Sequence, residues 1–296
     1  MIPQETQEKL LELDRAGFLP APGESADAFF ARVAAVETAE NELREELAQK
    51  REAVVFDSIR ISADDAIPPE IVEEAGDLTD RLYGFRTRHV PGFFLTRGVG
   101  LLWGGCMIGD TVEPLAVFLI RGAFRNRRRW LLYRRDELLA HELCHSMRQP
   151  LHDQELEEFF AYRTSPSPLR RYLGNCFIHD RDAVLFVLPM LLLAAAQTVQ
   201  SFWYARLPVW PFWILAPLYL IRLLIRNQRS RCRCFAAARM LERWGIARPF
   251  AVLMRCTTPE IRRIAKMKEF REFEELFSGD LRWLIFTARF FRAESE

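Results

Sequence analysis

The sequence lacks the features that mark several large classes of protein. Its 41 Lys and Arg are balanced by 40 Asp and Glu, so a net charge of +1 gives no overall attraction for nucleic acid. Its six cysteines have no paired spacing of the disulfide or zinc-ribbon kind, which predicts reduced thiols facing the cytosol. The polar, acidic N-terminal segment has neither the basic flank nor the apolar run of a signal peptide. We therefore expect no nucleic-acid partner and no disulfide framework.

An H-E-x-x-H motif is present between His141 and His145. On a helix, positions four residues apart share a face, so the two imidazoles can converge on one zinc ion. Glu142 lies beside them and is the expected general base for a zinc-activated water. The residues around the motif are uncharged, as a helix packed into a core requires: Ala140, Leu143, Cys144 and Met147.

A catalytic zinc needs a third protein ligand and leaves its fourth position for water. Three residues downstream of the motif are candidates, namely Glu157, Glu158 and His152. The metzincin pattern is disfavoured, because it requires Gly and His where this chain has Arg148 and Leu151. The residues alone leave the choice of third ligand open.

The motif followed by a Glu-x-x-Ala segment, Glu158 to Ala161, resembles the gluzincin arrangement of zinc metallopeptidases. In that family the third ligand is a Glu on a helix running back beside the first, so the resemblance implies that Glu158 binds Zn2+ with His141 and His145. The order of short sheet, motif helix, apolar hairpin and helical tail, over about residues 90–245, also resembles the M48-type membrane metallopeptidases. The resemblance implies a zinc-dependent metalloendopeptidase that acts on polypeptides, membrane proteins included.

Tyr162 stands four residues after Glu158, where that family has an acidic residue supporting the metal site. We therefore expect this second carboxylate to be missing. Tyr162 and Arg163 become candidates for contacts to the transition state, with Tyr162 as the second catalytic residue beside Glu142. The missing acid favours an alternative function, a catalytically inactive zincin-like membrane scaffold or regulatory protein.

Two long apolar runs occupy residues 183–225. Ala183 to Ala205 contains 23 residues without a charge, and a bilayer span needs roughly 20. Leu207 to Ile221 is also uncharged, and an aromatic-rich segment at 201–210 joins the two runs. Such aromatic segments are typical of a membrane interface. We predict a transmembrane hairpin of two spans in a lipid bilayer; the alternative is a pair of buried helices in a large soluble core.

The charges that flank the hairpin predict its orientation. Arginines precede and follow it, whereas the tip contains only Arg206. By the positive-inside rule, the catalytic domain and both termini are expected in the cytoplasm.

The predicted fold class is α+β: a mostly helical zincin-like peptidase domain with a small antiparallel sheet, plus the transmembrane helical hairpin. We divide the chain into four regions, listed in order: an N-terminal helical region at 1–89, a zincin-like catalytic core at 90–182, the transmembrane hairpin at 183–225 and a C-terminal helical cytoplasmic region at 226–296.

Local patterns predict further elements. Strands are expected at Phe93–Leu95, Leu101–Ile108 and Leu115–Arg121, with a hairpin turn near Gly109 and Asp110. Either of the last two strands could bind substrate backbone at a sheet edge. The expected helices are at 4–16, 25–52, 68–81, 136–149 with Asp136 as N-cap, 153–162, 235–244, from 258, and within 269–292.

Overall fold

The structure, a computed structural model, describes residues 3–56, 58–96, 100–101, 103–109 and 114–291. Helices dominate this part of the chain and small sheets accompany them, which confirms the predicted α+β class. The α-helices are α1 (Gln4–Arg15), α2 (Ala26–Lys50), α3 (Pro69–Tyr83), α4 (Arg135–Arg148), α5 (Glu157–Ala161), α6 (Pro168–Leu173), α7 (Asp180–Phe202), α8 (Trp210–Arg243), α9 (Pro249–Leu253), α10 (Thr258–Ile264), α11 (Phe270–Phe277) and α12 (Leu281–Arg289).

The strands are β1 (Glu52–Val55), β2 (Ile59–Ser62), β3 (Gly92–Leu95), β4 (Gly105–Ile108), β5 (Val117–Arg121), β6 (Arg129–Trp130) and β7 (Tyr133–Arg134). The three predicted strands form one sheet in the order β3-β5-β4, in which β3 pairs with β5 in parallel and β4 pairs with β5 antiparallel. The prediction of a purely antiparallel sheet is therefore wrong. The predicted turn residue Asp110 lies outside the described residues.

The motif helix α4 is held in the core by α3 and α5. The predicted packing face is confirmed, since Ala140, Leu143, Cys144 and Met147 are all fully buried. From α3, the Tyr83 hydroxyl donates a hydrogen bond of 2.7 Å to the Phe160 carbonyl on α5. This bond fixes the two helices that flank the motif.

The boundaries of α4 and α5 differ from the prediction. Asp136 is not an N-cap, because α4 begins at Arg135 and Asp136 instead accepts two hydrogen bonds from Arg134, at 3.1 and 2.7 Å. A carboxylate in the first turn still complements the helix dipole. The second helix begins later than predicted, at Glu157, since a short 3-10 turn at Gln149–Leu151 and a loop precede it.

The two apolar runs form α7 and α8, which pack against each other as an antiparallel pair. At the open end Asp182 accepts a 2.7 Å bond from Arg226, and at the tip Gln200 donates a 2.8 Å bond to the Leu207 carbonyl. The separate helix predicted at 235–244 is wrong, because α8 continues without a break to Arg243.

By length and composition, one helix among the described residues could cross a membrane, the segment Arg181–Phe202, with 22% of its apolar window buried. The second predicted span is not found on this criterion. Both helices nevertheless carry large exposed apolar side chains, including Val184, Leu191, Trp210, Ile214 and Leu218.

Residues from both ends of the chain share one contiguous hydrophobic core with α4 and the β3-β5-β4 sheet. The fully buried Arg255 donates two hydrogen bonds to the fully buried Asp14, at 2.7 and 2.8 Å. On α12, Ile285 and Phe286 are buried, so the aromatic face of this helix packs inside the protein. The regions predicted as 1–89, 90–182 and 226–296 thus do not have separate cores.

Candidate metal centre

Two imidazoles of α4 and one carboxylate of α5 converge. The Nε2 atoms of His141 and His145 are 3.1 Å apart. Glu158 places one oxygen 3.5 Å from His141 Nε2 and the other 3.5 Å from His145 Nε2. The three side chains offer ligand atoms that all lie within 4.8 Å of one another, so the cluster could hold a metal ion.

The donor atoms are of the kinds that bind zinc in proteins. Ligand atoms at 2.0–2.1 Å from a tetrahedral ion lie about 3.3 Å from one another. The separation of 3.1 Å between His141 Nε2 and His145 Nε2 is close to that value, and each of these nitrogens has a different Glu158 oxygen at 3.5 Å. Two imidazoles and one carboxylate are also a common ligand set of catalytic zinc sites.

Glu142 is positioned by the edge of the sheet. Its side chain accepts a hydrogen bond of 3.0 Å from the backbone N–H of Met107 on β4. Burial raises the pKa of Glu142, while His145 and the bond from Met107 act in the opposite direction. A buried carboxylate with a raised pKa is suited to accepting and returning a proton.

A second carboxylate does support the cluster, contrary to the prediction. It comes from Glu157, which the sequence offered as an alternative ligand, and not from the position of Tyr162. One Glu157 oxygen is 3.1 Å from His145 Nδ1, which leaves Nε2 of that ring facing the cluster. A partner on the far nitrogen fixes the tautomer and orientation of a ligating histidine.

Arg148 holds Glu157 in place. Its fully buried guanidinium donates to Glu157 at 3.0 Å, to Asp153 at 2.9 Å and to the Met254 carbonyl at 2.7 Å. It also lies over the ring of Phe160, 4.5 Å from the centroid. The cluster is thereby tied to the residue that directly follows α9, far along the chain. The supporting role of Arg148 has only a weak signal in the sequence, which is a charged residue three positions after His145 on a helix with a buried face.

Tyr162 and Arg163, the two residues predicted to contact the transition state, lie in different places relative to the cluster. The Tyr162 ring stands edge-on to His141, with centroids 4.6 Å apart, so Tyr162 borders the cluster. Gly174 touches this ring, and a Cβ there would come within 2.1 Å of it. Arg163 points elsewhere, since its guanidinium lies over the Phe250 ring at 3.6 Å. Its predicted contact to the transition state is therefore wrong.

His152 is not brought to the cluster. It follows the 3-10 turn after α4 with a left-handed φ of 48°, and it is exposed. It lines a different cavity with Ser146 and Pro150. Among the candidates for a third ligand, Glu158 alone joins the two histidines in the cluster.

The two histidines of the cluster have pKa values that are shifted in opposite directions. Burial lowers the pKa of His145, but the hydrogen bond and charge of Glu157, with the charges of Glu158 and Glu142, raise it to about 9. Burial and the charge of His145 lower the pKa of His141 well below its ordinary value. For Glu158, burial raises the pKa to about 6. The acidic groups around His145 thus favour a cation at this position.

The strand next to the cluster is β4, which is an edge strand of the sheet as far as the chain is described. The Arg121 N–H bonds to the Gly104 carbonyl at 2.9 Å, so residues 104, 106 and 108 face β5 and residues 105 and 107 face outward. The alternative edge, Leu115 to Arg121, is wrong because β5 is the central strand.

Comparisons of the chain with family models, with curated proteins and with solved structures found no match.

Proposed function

We propose that the protein is a zinc-dependent metalloendopeptidase anchored in a membrane, with Zn2+ held by His141, His145 and Glu158. The observation that carries the proposal is the convergence of these three side chains, whose ligand atoms lie within 4.8 Å of one another, beside a buried Glu142. A zinc ion in this place would supply Lewis acidity, polarising a peptide carbonyl and lowering the pKa of water towards about 7.

Glu142 is the general base in this proposal. It accepts a proton from the attacking water and returns one to the amine that leaves when the peptide bond breaks. The bond from Met107 N–H holds the carboxylate on the side of the cluster that faces β4. Since burial is the main cause that raises the pKa of the Tyr162 phenol, Tyr162 stays protonated at neutral pH and can donate a hydrogen bond to developing negative charge.

Because the Met107 N–H is bonded to Glu142, the Met107 carbonyl and the outward backbone groups of Gly105 provide the place for the substrate on β4. A polypeptide that pairs with this edge as an added strand would lie directly above the cluster. Main-chain pairing of this kind does not depend on particular side chains, which suits an endopeptidase that cuts extended segments of protein, those of membrane proteins included.

The α7–α8 pair is the proposed membrane anchor. Phe159 on α5 contacts Phe235 on α8, with ring centroids 6.1 Å apart. Phe235 is 14 residues from Ile221, the last uncharged residue of the second apolar run, or about 21 Å along the helix. The candidate cleft would therefore sit close to the cytoplasmic face of the bilayer, with both termini on the same side.

The test is the replacement Glu142→Gln in the full chain, purified in detergent. Gln keeps the size of Glu and can still meet Met107, but it cannot take a proton. We expect zinc content to remain at one ion per chain, as measured by elemental analysis, and cleavage of denatured casein to fall by about 100-fold or more.

His152→Gln is the matched control, because His152 is exposed and lies away from the cluster. It should retain both zinc and cleavage. If wild type and Glu142→Gln cleave equally, the peptidase proposal fails. If wild type holds zinc but cuts none of a broad set of polypeptides, the protein is the inactive scaffold instead.

A further inference from the structure

A large groove lies at the open end of the α7–α8 pair, away from the zinc cluster. Its volume is about 1040 Å³. The upper wall is apolar and comes from both helices: Leu185, Leu188 and Leu192 on α7, and Leu215, Leu218 and Ile221 on α8. The groove thus continues the exposed apolar surface of the proposed spans.

The base of the groove is basic. Arg222, Arg226, Arg229 and Arg233 follow one another on α8 at intervals of four, three and four residues, which places them on one face of the helix. Arg262 of α10 completes the lining.

Two of these arginines are already neutralised inside the protein. Arg226 donates to Asp182 at 2.7 Å, and Arg262 is paired with Glu155. In contrast, Arg222, Arg229 and Arg233 are exposed and form no ion pair with any residue that the structure describes. The base of the groove therefore has three positive charges in excess.

We propose that this groove binds an anionic phospholipid of the cytoplasmic leaflet. The phosphate would lie among Arg222, Arg229 and Arg233, and an acyl chain would lie along the leucines above them. The apolar wall and the unpaired arginines adjoin within one groove, as the acyl chains and the headgroup adjoin within one lipid. The proposal rests on the membrane placement of the hairpin and is independent of zinc and of catalysis.

The test uses the full chain in a neutral detergent and measures lipid binding by native mass spectrometry. The probes are phosphatidylglycerol and phosphatidylcholine with identical acyl chains. We expect phosphatidylglycerol to bind more tightly, and the triple variant Arg222→Gln, Arg229→Gln, Arg233→Gln to lose about tenfold or more of that affinity. Because these side chains are exposed and unpaired, the variant should fold, which an unchanged zinc content and circular dichroism spectrum would verify.

The matched control removes three exposed arginines outside the groove: Arg239→Gln, Arg243→Gln and Arg263→Gln. It has the same change of charge and should keep its preference for phosphatidylglycerol. Equal loss in both triple variants, or equal binding of the two lipids, would overturn the proposal. So would displacement of the lipid by an equal concentration of inorganic phosphate, which would indicate a site for a soluble anion.

Membrane association is measured separately, by alkaline extraction of membranes. If the chain washes off, the hairpin placement itself is wrong. If it remains in the membrane while the two lipids bind equally, the lipid site alone is wrong.

Discussion

Glu157 and Glu158 are neighbours in the chain with different tasks. Glu158 faces both imidazoles at 3.5 Å, whereas Glu157 reaches the far nitrogen of His145 at 3.1 Å and is anchored by Arg148. One residue step along the helix separates their directions by about 100°. The pair therefore supplies a proposed ligand and the group that orients another ligand.

We expect Glu157→Gln to weaken zinc binding by about 10 to 100-fold without abolishing it, because the orienting carboxylate loses its charge. Glu158→Gln should weaken binding further, since it replaces a donor. Competition with a chelator of known affinity measures both. Glu70→Gln, an exposed site on α3, is the control; the assignment fails if Glu157→Gln costs more than Glu158→Gln.

His89 predicts a pH dependence of stability. It stacks on Phe18 with ring centroids 3.7 Å apart. Burial lowers its pKa from 6.5 to about 4, against the opposing bond to the Ala16 carbonyl, and nearby Arg32 adds to the lowering. Below pH 6.5 His89 binds a proton in the unfolded chain, whereas in the folded chain it stays neutral until about pH 4. The free energy of unfolding therefore falls as the pH drops through this window.

The loss attributable to His89 is up to about 3 kcal/mol in the free energy of unfolding. Chemical denaturation of wild type and His89→Gln at pH 7 and pH 4.5 isolates it, since the variant should lose less stability on acidification. Parallel curves for the two proteins would contradict the assignment.

The residues of the site were predictable to different degrees. The motif spacing was enough for His141, Glu142 and His145, because four-residue spacing on a helix needs no tertiary information. Arg148 was not predictable as a support, since the carbonyls of Met254 and Cys256 that it binds, just after α9, are more than 100 positions away. The contact of Glu157 with His145 was not predicted, because the exact rotation of a short helix decides which of two adjacent carboxylates faces the cluster.

At the scale of elements, β4 is the connection between sheet and site. Met107 N–H points away from β5 and towards Glu142, so proline at this position removes that donor while leaving the pairing with β5 intact. We expect Met107→Pro to retain zinc and to lower casein cleavage by about tenfold or more.

Cys106→Pro is the matched comparison on the same strand, because the Cys106 N–H faces β5. It should lower the thermal midpoint of unfolding more than Met107→Pro does. If Met107→Pro cleaves as well as wild type, Glu142 does not depend on β4.

Elements were predicted best where pattern and length agree. Helices α1 and α2 and the two apolar runs emerged because their periodicity or composition persists over many residues. The sequence allows a loop or a short strand at 57–67, where β2 lies, but β1 and its pairing with β2 were not predicted because each strand has only four residues. The parallel pairing of β3 with β5 could not be read from sequence, since it depends on how distant segments meet.

At the scale of the whole molecule, the described residues combine one hydrophobic core with a helical pair that exposes many apolar side chains. Exposed apolar side chains on α7 and α8 would be costly in water but are favourable in lipid. Orientation can be tested with a thiol reagent that does not cross membranes. Cys232 is exposed near the base of the pair, and the exposed Ser201 lies near the tip.

In intact cells, we expect the reagent to label Ser201→Cys from outside and to leave Cys232 unlabelled until the cells are lysed. A Cys232→Ser background assigns the signals. Labelling of Cys232 in intact cells would reverse the orientation, and equal labelling of both positions only after lysis would place the pair in the cytosol.

The proposed function depends on a zinc ion bound by two imidazoles and one carboxylate. X-ray absorption at the zinc edge of the purified chain tests it most directly. We expect one zinc per chain with two imidazole nitrogens and one or more oxygens at about 2.0 to 2.2 Å. A sulfur shell at about 2.3 Å, or a chain that binds no stoichiometric zinc, would contradict it.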